Sequence, residues 1–192
     1  MPGVNPDSEI TRPVAYFDGS ISRPVRDHSP RKSQPSEAVE ARLELTDPAI
    51  RVVTDFVWEP PATVREQSSI DDALREMIRA GVRALLTVHD DMVTGLITSY
   101  DIQGERPLQF LAVSGYHRHD EIEVRHIMTP WERVPTLDWQ ALGRARLSDL
   151  AAFFRSTQVT HVVVVEFAGA GETFVRGLVS RARLARHLGH SI

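Results

Sequence analysis

Residues 95–102, with the sequence GLITSYDI, recur 82 positions later as residues 177–184, with the sequence GLVSRARL. In each copy an apolar run passes through a hydroxyl residue, Thr98 or Ser180, into a sequence that is typical of a helix. The start of a helix presents unpaired backbone N–H groups and a partial positive charge, which together favour a phosphate group. The motif therefore predicts two strand-to-helix junctions at which an anion could bind.

The repeat extends upstream of both junctions, where apolar residues follow the helical spacing i, i+3, i+4, i+7. These residues are Ile70, Ala73, Leu74 and Met77 in the first copy and Leu147, Leu150, Ala151 and Phe154 in the second. Apolar runs over residues 84–88 and 162–165 follow as candidate strands. The sequence therefore predicts one helix–strand–strand–helix unit that occurs twice.

Local signals predict where the helices begin and end. Ser69, with Asp72 three residues later, is typical of a capping box that opens a helix, and Gly81 is expected to end that helix in the left-handed conformation. Ser148 is expected to open the equivalent helix of the second copy. Between the copies, Pro107 is expected to restart a helix within residues 104–115.

Composition excludes several kinds of chemistry. The 192-residue chain contains no cysteine, so disulfides, thiol nucleophiles and thiolate metal sites are excluded, and we expect no metal. Its single lysine, Lys32, lies in the N-terminal part, so a lysine for a phosphate loop or a Schiff base is not expected in the folded part. A net charge of -4 argues against nucleic acid or an anionic membrane as a partner. Anions in the core would have to be held by Arg, His, hydroxyl groups or backbone N–H.

Prolines and apolar residues divide the chain into three parts. Residues 1–48 are predicted to form a largely disordered arm with a short helix over 36–45, because residues 1–36 hold six of the twelve prolines and few apolar side chains. Residues 49–120 are predicted to hold the first repeat and a linker, and residues 121–192 the second repeat. No apolar stretch reaches the length of a membrane span or a signal peptide, so we expect a cytoplasmic protein.

A family resemblance appears at the start of the second repeat. Residues 124–130, VRHIMTP, resemble the opening motif V-x-D-I-M-T of a CBS repeat, and residues 95–102 resemble the strand-to-helix motif that closes one. With the doubled pattern, residues 50–190 resemble a tandem CBS pair, or Bateman module, of the stand-alone bacterial type. The resemblance implies an α/β (α+β-like) fold, in which two pseudo-symmetric β-α-β-β-α units pack sheet to sheet and form two clefts.

The resemblance also assigns roles to the first strand-to-helix junction. In the family's motif the hydroxyl residue contacts a ligand phosphate and the acid three positions later binds both ribose hydroxyls; Thr98 and Asp101 match that pattern. A carboxylate can accept one hydrogen bond from each hydroxyl of a vicinal diol. From the residues alone, Thr-x-x-Asp is equally the way a helix start caps itself without a ligand.

The second junction departs from the motif. Ser180 keeps the hydroxyl, but Arg183 stands where the acid belongs. A guanidinium has no acceptor, so this second cleft is expected to bind adenosine weakly. Arg183 could hold a phosphate, pair with a carboxylate across the interface, or lie on a solvated helix face.

Three further positions match the family's ligand contacts. Arg83 and His161 lie at the starts of the central strands, where basic side chains face phosphate, although His161 could also be a core histidine. Thr63 and Val64 match the position that brackets the adenine, and packing on an edge strand is the alternative for both.

The resemblance implies a function of the regulatory type rather than an enzyme, and the sequence shows no nucleophile with a matching base. We expect a homodimer that senses AMP, ADP, ATP or S-adenosylmethionine and transmits the ligand state to an unidentified regulated protein. The alternative is a scaffold that dimerises and binds a partner while its clefts stay free of ligand. Thermal stabilisation by an added ligand distinguishes the two, since binding to the folded state raises its stability.

Overall fold

The computed structural model describes residues 42–90, 92–168, 172–189 and 192. Most of the predicted arm, including the larger part of its predicted helix, lies outside the described residues. The tip of the second hairpin, residues 169–171, also lies outside them.

The described residues form seven α-helices and eight strands. The helices are α1 (Ile70–Ala80), α2 (Ser99–Gln103), α3 (Arg106–Val113), α4 (Val124–Ile127), α5 (Trp139–Arg144), α6 (Leu147–Ser156) and α7 (Arg181–Leu188). The strands are β1 (Thr54–Asp55), β2 (Thr63–Arg65), β3 (Ala84–His89), β4 (Met92–Thr98), β5 (Thr129–Pro130), β6 (Thr136–Asp138), β7 (His161–Ala168) and β8 (Glu172–Ser180). Short 3-10 turns cover Ala49–Val52, His119–Glu121 and Trp131–Arg133.

Two four-stranded sheets carry the fold, in the orders β2-β3-β4-β5 and β1-β8-β7-β6. The two units exchange an edge strand. β1 precedes the first unit in the chain but pairs with β8 in the sheet of the second unit, and β5 precedes the second unit but pairs with β4 in the sheet of the first. Both exchanged strands pass directly over a motif glycine. A Cβ on Gly95 would lie 2.3 Å from the Thr129 carbonyl oxygen, and one on Gly177 would lie 2.6 Å from the Thr54 carbonyl oxygen. The glycine of the repeated motif is therefore required by strand exchange.

The two sheets pack face to face, as the sequence predicted. Leu86 and Leu96 of one sheet share a buried cluster with Val163, Val165 and Val175 of the other. On the opposite face of the same strands, Leu85 and Ile97 pack with the helices of the first unit, and Val162 and Val164 with those of the second. The central strands are buried on both faces, which explains their unbroken apolar runs.

The capping predictions are confirmed in the first unit. The Ser69 hydroxyl accepts from the Asp72 backbone N–H at 3.1 Å, and Gly81 ends α1 with a φ of 67°. In the second unit the predicted start at Ser148 is wrong, since α6 begins at Leu147. There the side chain of Asp149 accepts from the Arg146 backbone N–H at 2.8 Å, so an acid takes over the capping role.

The segment before the first repeat packs with the second unit. Leu43, Ala49 and Val52 are buried in the same cluster as Leu147 and Leu188. Backbone bonds hold this segment in place: the Leu43 N–H donates to the His187 carbonyl at 3.0 Å, and the Ala49 N–H to the Ala145 carbonyl at 2.9 Å. The two packing units are therefore not continuous stretches of sequence.

None of the helices in the described ranges is long and apolar enough to cross a membrane.

Candidate ligand-binding cavity

A cavity of about 720 Å³ lies where the two units meet. The first unit contributes the end of α1 and the start of β3, and the second contributes the start of β7, the end of β8 and helix α7. The connection between β1 and β2 contributes Phe56 and residues 59–62. Apolar side chains, including Ala62, Leu96 and Leu178, form part of its wall. The cavity is thus built from the strand starts and the second strand-to-helix junction.

The charged lining of the cavity is strongly basic. It comprises four arginines, Arg83, Arg181, Arg183 and Arg186, against one acidic side chain, Glu59. Arg181 is partly used, since its guanidinium donates to the Ile192 main-chain oxygen at 2.9 Å from Nε. Within the described ranges, Arg83, Arg183 and Arg186 form no ion pair with a carboxylate. The cavity therefore has an excess of positive charge and spare N–H donors, which favours an anionic ligand.

Ser180 and Arg183 occupy the junction between β8 and α7. The Ser180 hydroxyl accepts from the Arg183 backbone N–H at 3.0 Å, so Ser180 caps the helix. The Arg183 side chain extends to the exchanged strand, where Nη1 donates to the Thr54 hydroxyl at 3.0 Å. The first turn of α7 contains no acidic residue. Nothing within that turn neutralises the positive end of the helix.

His161 lies in the cavity wall and is only 7% exposed. Its Nδ1 is 2.9 Å from the Thr160 hydroxyl. Burial, with a smaller contribution from the positive charge of Arg83, lowers the pKa of His161 to about 4. The imidazole is therefore neutral at pH 7, and the positive charge of the cavity comes from the arginines.

Thr98 and Asp101 do not belong to the cavity lining. The Asp101 Oδ2 atom accepts from both the backbone N–H and the hydroxyl of Thr98, each at 2.8 Å. Asp101 Oδ1 lies 3.0 Å from Arg106 Nη1 in an ion pair. Both carboxylate oxygens thus have partners within their own unit, and the geometry is that of the self-capped helix start. A second cavity, of about 410 Å³ and lined by Arg106, Phe110 and residues 126–130, also excludes Thr98 and Asp101.

Of the residues proposed from sequence, the structure brings Arg83, His161, Ser180 and Arg183 together around one cavity. Thr63 and Val64 lie beside it on β2: Thr63 is exposed, and Val64 packs into the helix-side core of the first unit. Sequence reasoning missed Phe56, Glu59 and Tyr100, which do line the cavity. Pro60 and Pro61 indicate that the connection between β1 and β2 is irregular in structure. Its position near α7 depends on the pairing of β1 with β8, which the sequence does not reveal.

Within the described ranges, no group of three or more His, Asp or Glu side chains is placed so that it could hold a metal ion.

Comparison with known families gives a match to the CBS domain over residues 53–106. Among solved structures, an uncharacterised conserved protein from Pyrococcus horikoshii matches with a TM-score of 0.53 at 19% identity, covering 78% of this chain and 98% of its own. The CBS domain of a bacterial CNNM/CorC family Mg²⁺ transporter, solved in complex with ATP, matches with a TM-score of 0.50 at 14% identity, covering 77% and 91%. CBSX2 from Arabidopsis thaliana, solved in complex with AMP, matches with a TM-score of 0.49 at 22% identity, covering 73% and 94%. The comparison with curated proteins gave no match.

Residues 53–106 therefore match the CBS domain, and the two face-to-face sheets have the fold of the Pyrococcus horikoshii protein. The family match spans β1 to α2, and the second unit repeats the order of β2 to α2 from β6 to α7 with one additional helix, α5. The expected fold class and family resemblance are confirmed.

Proposed function

We propose that this protein is a regulatory module that binds an adenine nucleotide in the basic cavity and transmits the ligand state to a partner protein. The observation that carries the proposal is the set of four arginines around a cavity of about 720 Å³. Ligand pockets of proteins are typically about 300–1,000 Å³, and planar guanidinium groups match phosphate oxygens in geometry and charge. The apolar side chains of the cavity wall offer a surface against which the adenine ring could pack.

The positive charge of the cavity favours some of the ligands expected from the sequence over others. AMP, ADP and ATP carry phosphate groups, whereas S-adenosylmethionine carries a sulfonium cation and no phosphate. Among the four, the nucleotides are favoured because the lining has four arginines and one acidic side chain. The structural relative from the CNNM/CorC transporters was solved with ATP, which supports a nucleotide of this class.

The exchanged strand suggests how a ligand could be sensed. Residues 56–62 connect β1 in one sheet to β2 in the other, and most of this connection lines the cavity. A ligand that bridges this connection and α7 would hold the two sheets in one relative position. A partner that prefers this position would then bind with altered affinity, as linkage requires.

In this proposal the protein acts in the cytoplasm and is not itself an enzyme. The absence of cysteine supports a reducing compartment. The match of residues 53–106 to the CBS domain supports a regulatory role.

A scaffold that works without ligand is the second candidate, and one observation favours it. At the first junction, Asp101 uses both carboxylate oxygens for Thr98 and Arg106, so this junction is complete without a ligand. If the junction between β8 and α7 were also complete without a ligand, the protein would act only through surfaces that bind other proteins.

Titration calorimetry of the full chain with AMP, ADP and ATP tests the proposal. We expect binding with a stoichiometry near one per chain and a higher melting temperature with ligand. Arg83→Gln should weaken binding by about tenfold, because a hydrogen bond to a charged group contributes roughly 1.5–3 kcal/mol. Arg155→Gln, an exposed arginine of α6 outside the lining, is the control and should bind like wild type. Absence of both heat and stabilisation at millimolar nucleotide would favour the scaffold.

A further inference from the structure

Arg183 is a hydrogen-bond donor at the motif position where the first copy has an acceptor, Asp101. Asp101, at the same place in the first motif, is an acceptor whose two carboxylate oxygens both have partners within its own unit. Arg183 lines the cavity and uses one N–H for the Thr54 hydroxyl. Within the described residues it forms no ion pair, so most of its five donors remain available. Arg186, three residues along the same helix, lines the same cavity.

An arginine in place of the acid changes whether the site matches a ribose with free hydroxyls or a ribose that carries a phosphate. A carboxylate accepts from the free 2′- and 3′-hydroxyls of a ribose, whereas a guanidinium only donates. Nucleotide-binding proteins of an unrelated fold show the same chemistry: an acid binds the free 2′-hydroxyl, and an arginine accommodates a 2′-phosphate. A guanidinium also forms paired hydrogen bonds with a phosphate. Arg183 is therefore matched to a ribose that carries a phosphate.

We propose that the cavity takes a nucleotide with phosphate at both ends of its ribose, a 5′-phosphate and a second phosphate at the 2′- or 3′-position. Arg183, supported by Arg186, holds the second phosphate. Arg83 comes from the other unit and supplies positive charge for the 5′-phosphate. This inference rests on the proposed nucleotide-binding function and narrows its ligand class.

The test compares ligands that carry the same number of phosphates in different positions. Adenosine 3′,5′-bisphosphate, adenosine 2′,5′-bisphosphate, ADP and AMP are titrated into the full-length wild type by calorimetry. We expect at least one bisphosphate to bind about tenfold or more tightly than ADP, because ADP leaves the ribose hydroxyls free and Arg183 without its phosphate. Equal or tighter binding of ADP would overturn the inference, since the cavity would then respond to charge alone.

A matched pair of variants locates the effect. Arg183→Gln should weaken bisphosphate binding by about tenfold or more, and by a clearly larger factor than it weakens ADP binding, because ADP has no phosphate on the ribose 2′- or 3′-position. Arg155→Gln should change neither. A similar loss for all four ligands would show that Arg183 only supports the shape of the site, and it would overturn the inference.

The two proposals fail in different ways. If AMP and ADP bind and the bisphosphates have no advantage, the nucleotide-binding function stands and the ribose-phosphate inference falls. If none of the four ligands binds, both fall. The comparison of ligands on the wild type does not depend on the folding of any variant.

Discussion

The Asp101 carboxylate and the Arg106 guanidinium form an ion pair, with Oδ1 and Nη1 3.0 Å apart. Arg106 also donates from Nη1 to the Ile127 carbonyl at 2.7 Å, and so connects α2 to the chain that leads into the second unit. The acid that the sequence motif assigns to a ribose is thus part of a structural network at the start of α2. Its side chain is only 12% exposed.

This network predicts the effect of removing the acid. Asp101→Ala should lower the free energy of unfolding by about 1–2 kcal/mol through loss of the cap, and nucleotide affinity should stay unchanged because Asp101 lies outside the cavity lining. Urea denaturation and calorimetry measure the two effects. Asp101→Asn, which keeps an acceptor for the Thr98 N–H, is the control. If Asp101→Ala folds but no longer binds nucleotide, then the ligand site is at Thr98 and Asp101, as the motif alone predicted.

The exchanged strands predict that the two motif glycines cannot be replaced. Gly95→Ala and Gly177→Ala should each lower the free energy of unfolding by about 1–3 kcal/mol, as overpacking does, because the new Cβ would contact a backbone oxygen. The control is Gly143→Ala in α5, where a Cβ would have no atom within 4 Å. That change should be neutral or stabilising by up to about 1 kcal/mol, given the helix propensities. Denaturation curves that coincide for the three variants would contradict strand exchange.

Burial of His161 predicts that stability falls in acid. The pKa of His161 is lowered from 6.5 to about 4, so between these pH values the unfolded chain binds a proton that the folded chain does not. The free energy of unfolding should therefore be independent of this group above pH 7 and should fall by about 3 kcal/mol on acidification to pH 4.

The difference between wild type and His161→Gln isolates this effect, with His117→Gln at an exposed position as the control. Chemical denaturation at a series of pH values is the measurement. A difference curve that is flat from pH 7 to pH 4 would show that His161 is accessible to protons in the folded state.

Exposed apolar side chains on the first unit are consistent with the expected homodimer, which we retain as a proposal. Ile78 on α1, Leu108 on α3 and Val113 on α3 are 73%, 68% and 87% exposed. Helix α2 contacts both α1 and α3, so these side chains belong to neighbouring helices. Sedimentation should give about twice the chain mass of 21.5 kDa, and Ile78→Asp should shift the protein toward the monomer. Arg155→Asp is the control, and a wild-type monomer at micromolar concentration would contradict the dimer.

The sequence by itself determined the repeating unit and its resemblance to the CBS repeat. Helical spacing from Ile70 to Met77, the glycine after α1 and the motif at residues 95–102 depend on neighbours a few positions away, so the chain reveals them directly. Face-to-face packing of the two sheets was implied by the resemblance to a CBS pair, and it accounts for the unbroken apolar runs of the central strands, which are covered on both sides. The start of α6 was misplaced by one residue, since Ser148 and Asp149 both look like capping residues and only the geometry selects Asp149.

The tertiary structure alone decided which of the two equivalent motif positions, Asp101 or Arg183, lines the cavity. The motifs at Thr98 and Ser180 share a strand, a hydroxyl residue and a helix start, and the sequence favoured Thr98 because of its acid. The partner of Asp101 is Arg106, whose orientation depends on the fold, while Arg183 reaches Thr54, 129 positions away in sequence. The connection that completes the cavity reaches α7 because β1 pairs with β8 in the opposite sheet. Contacts over such distances are set by strand exchange and sheet packing, and they leave no local pattern in the sequence.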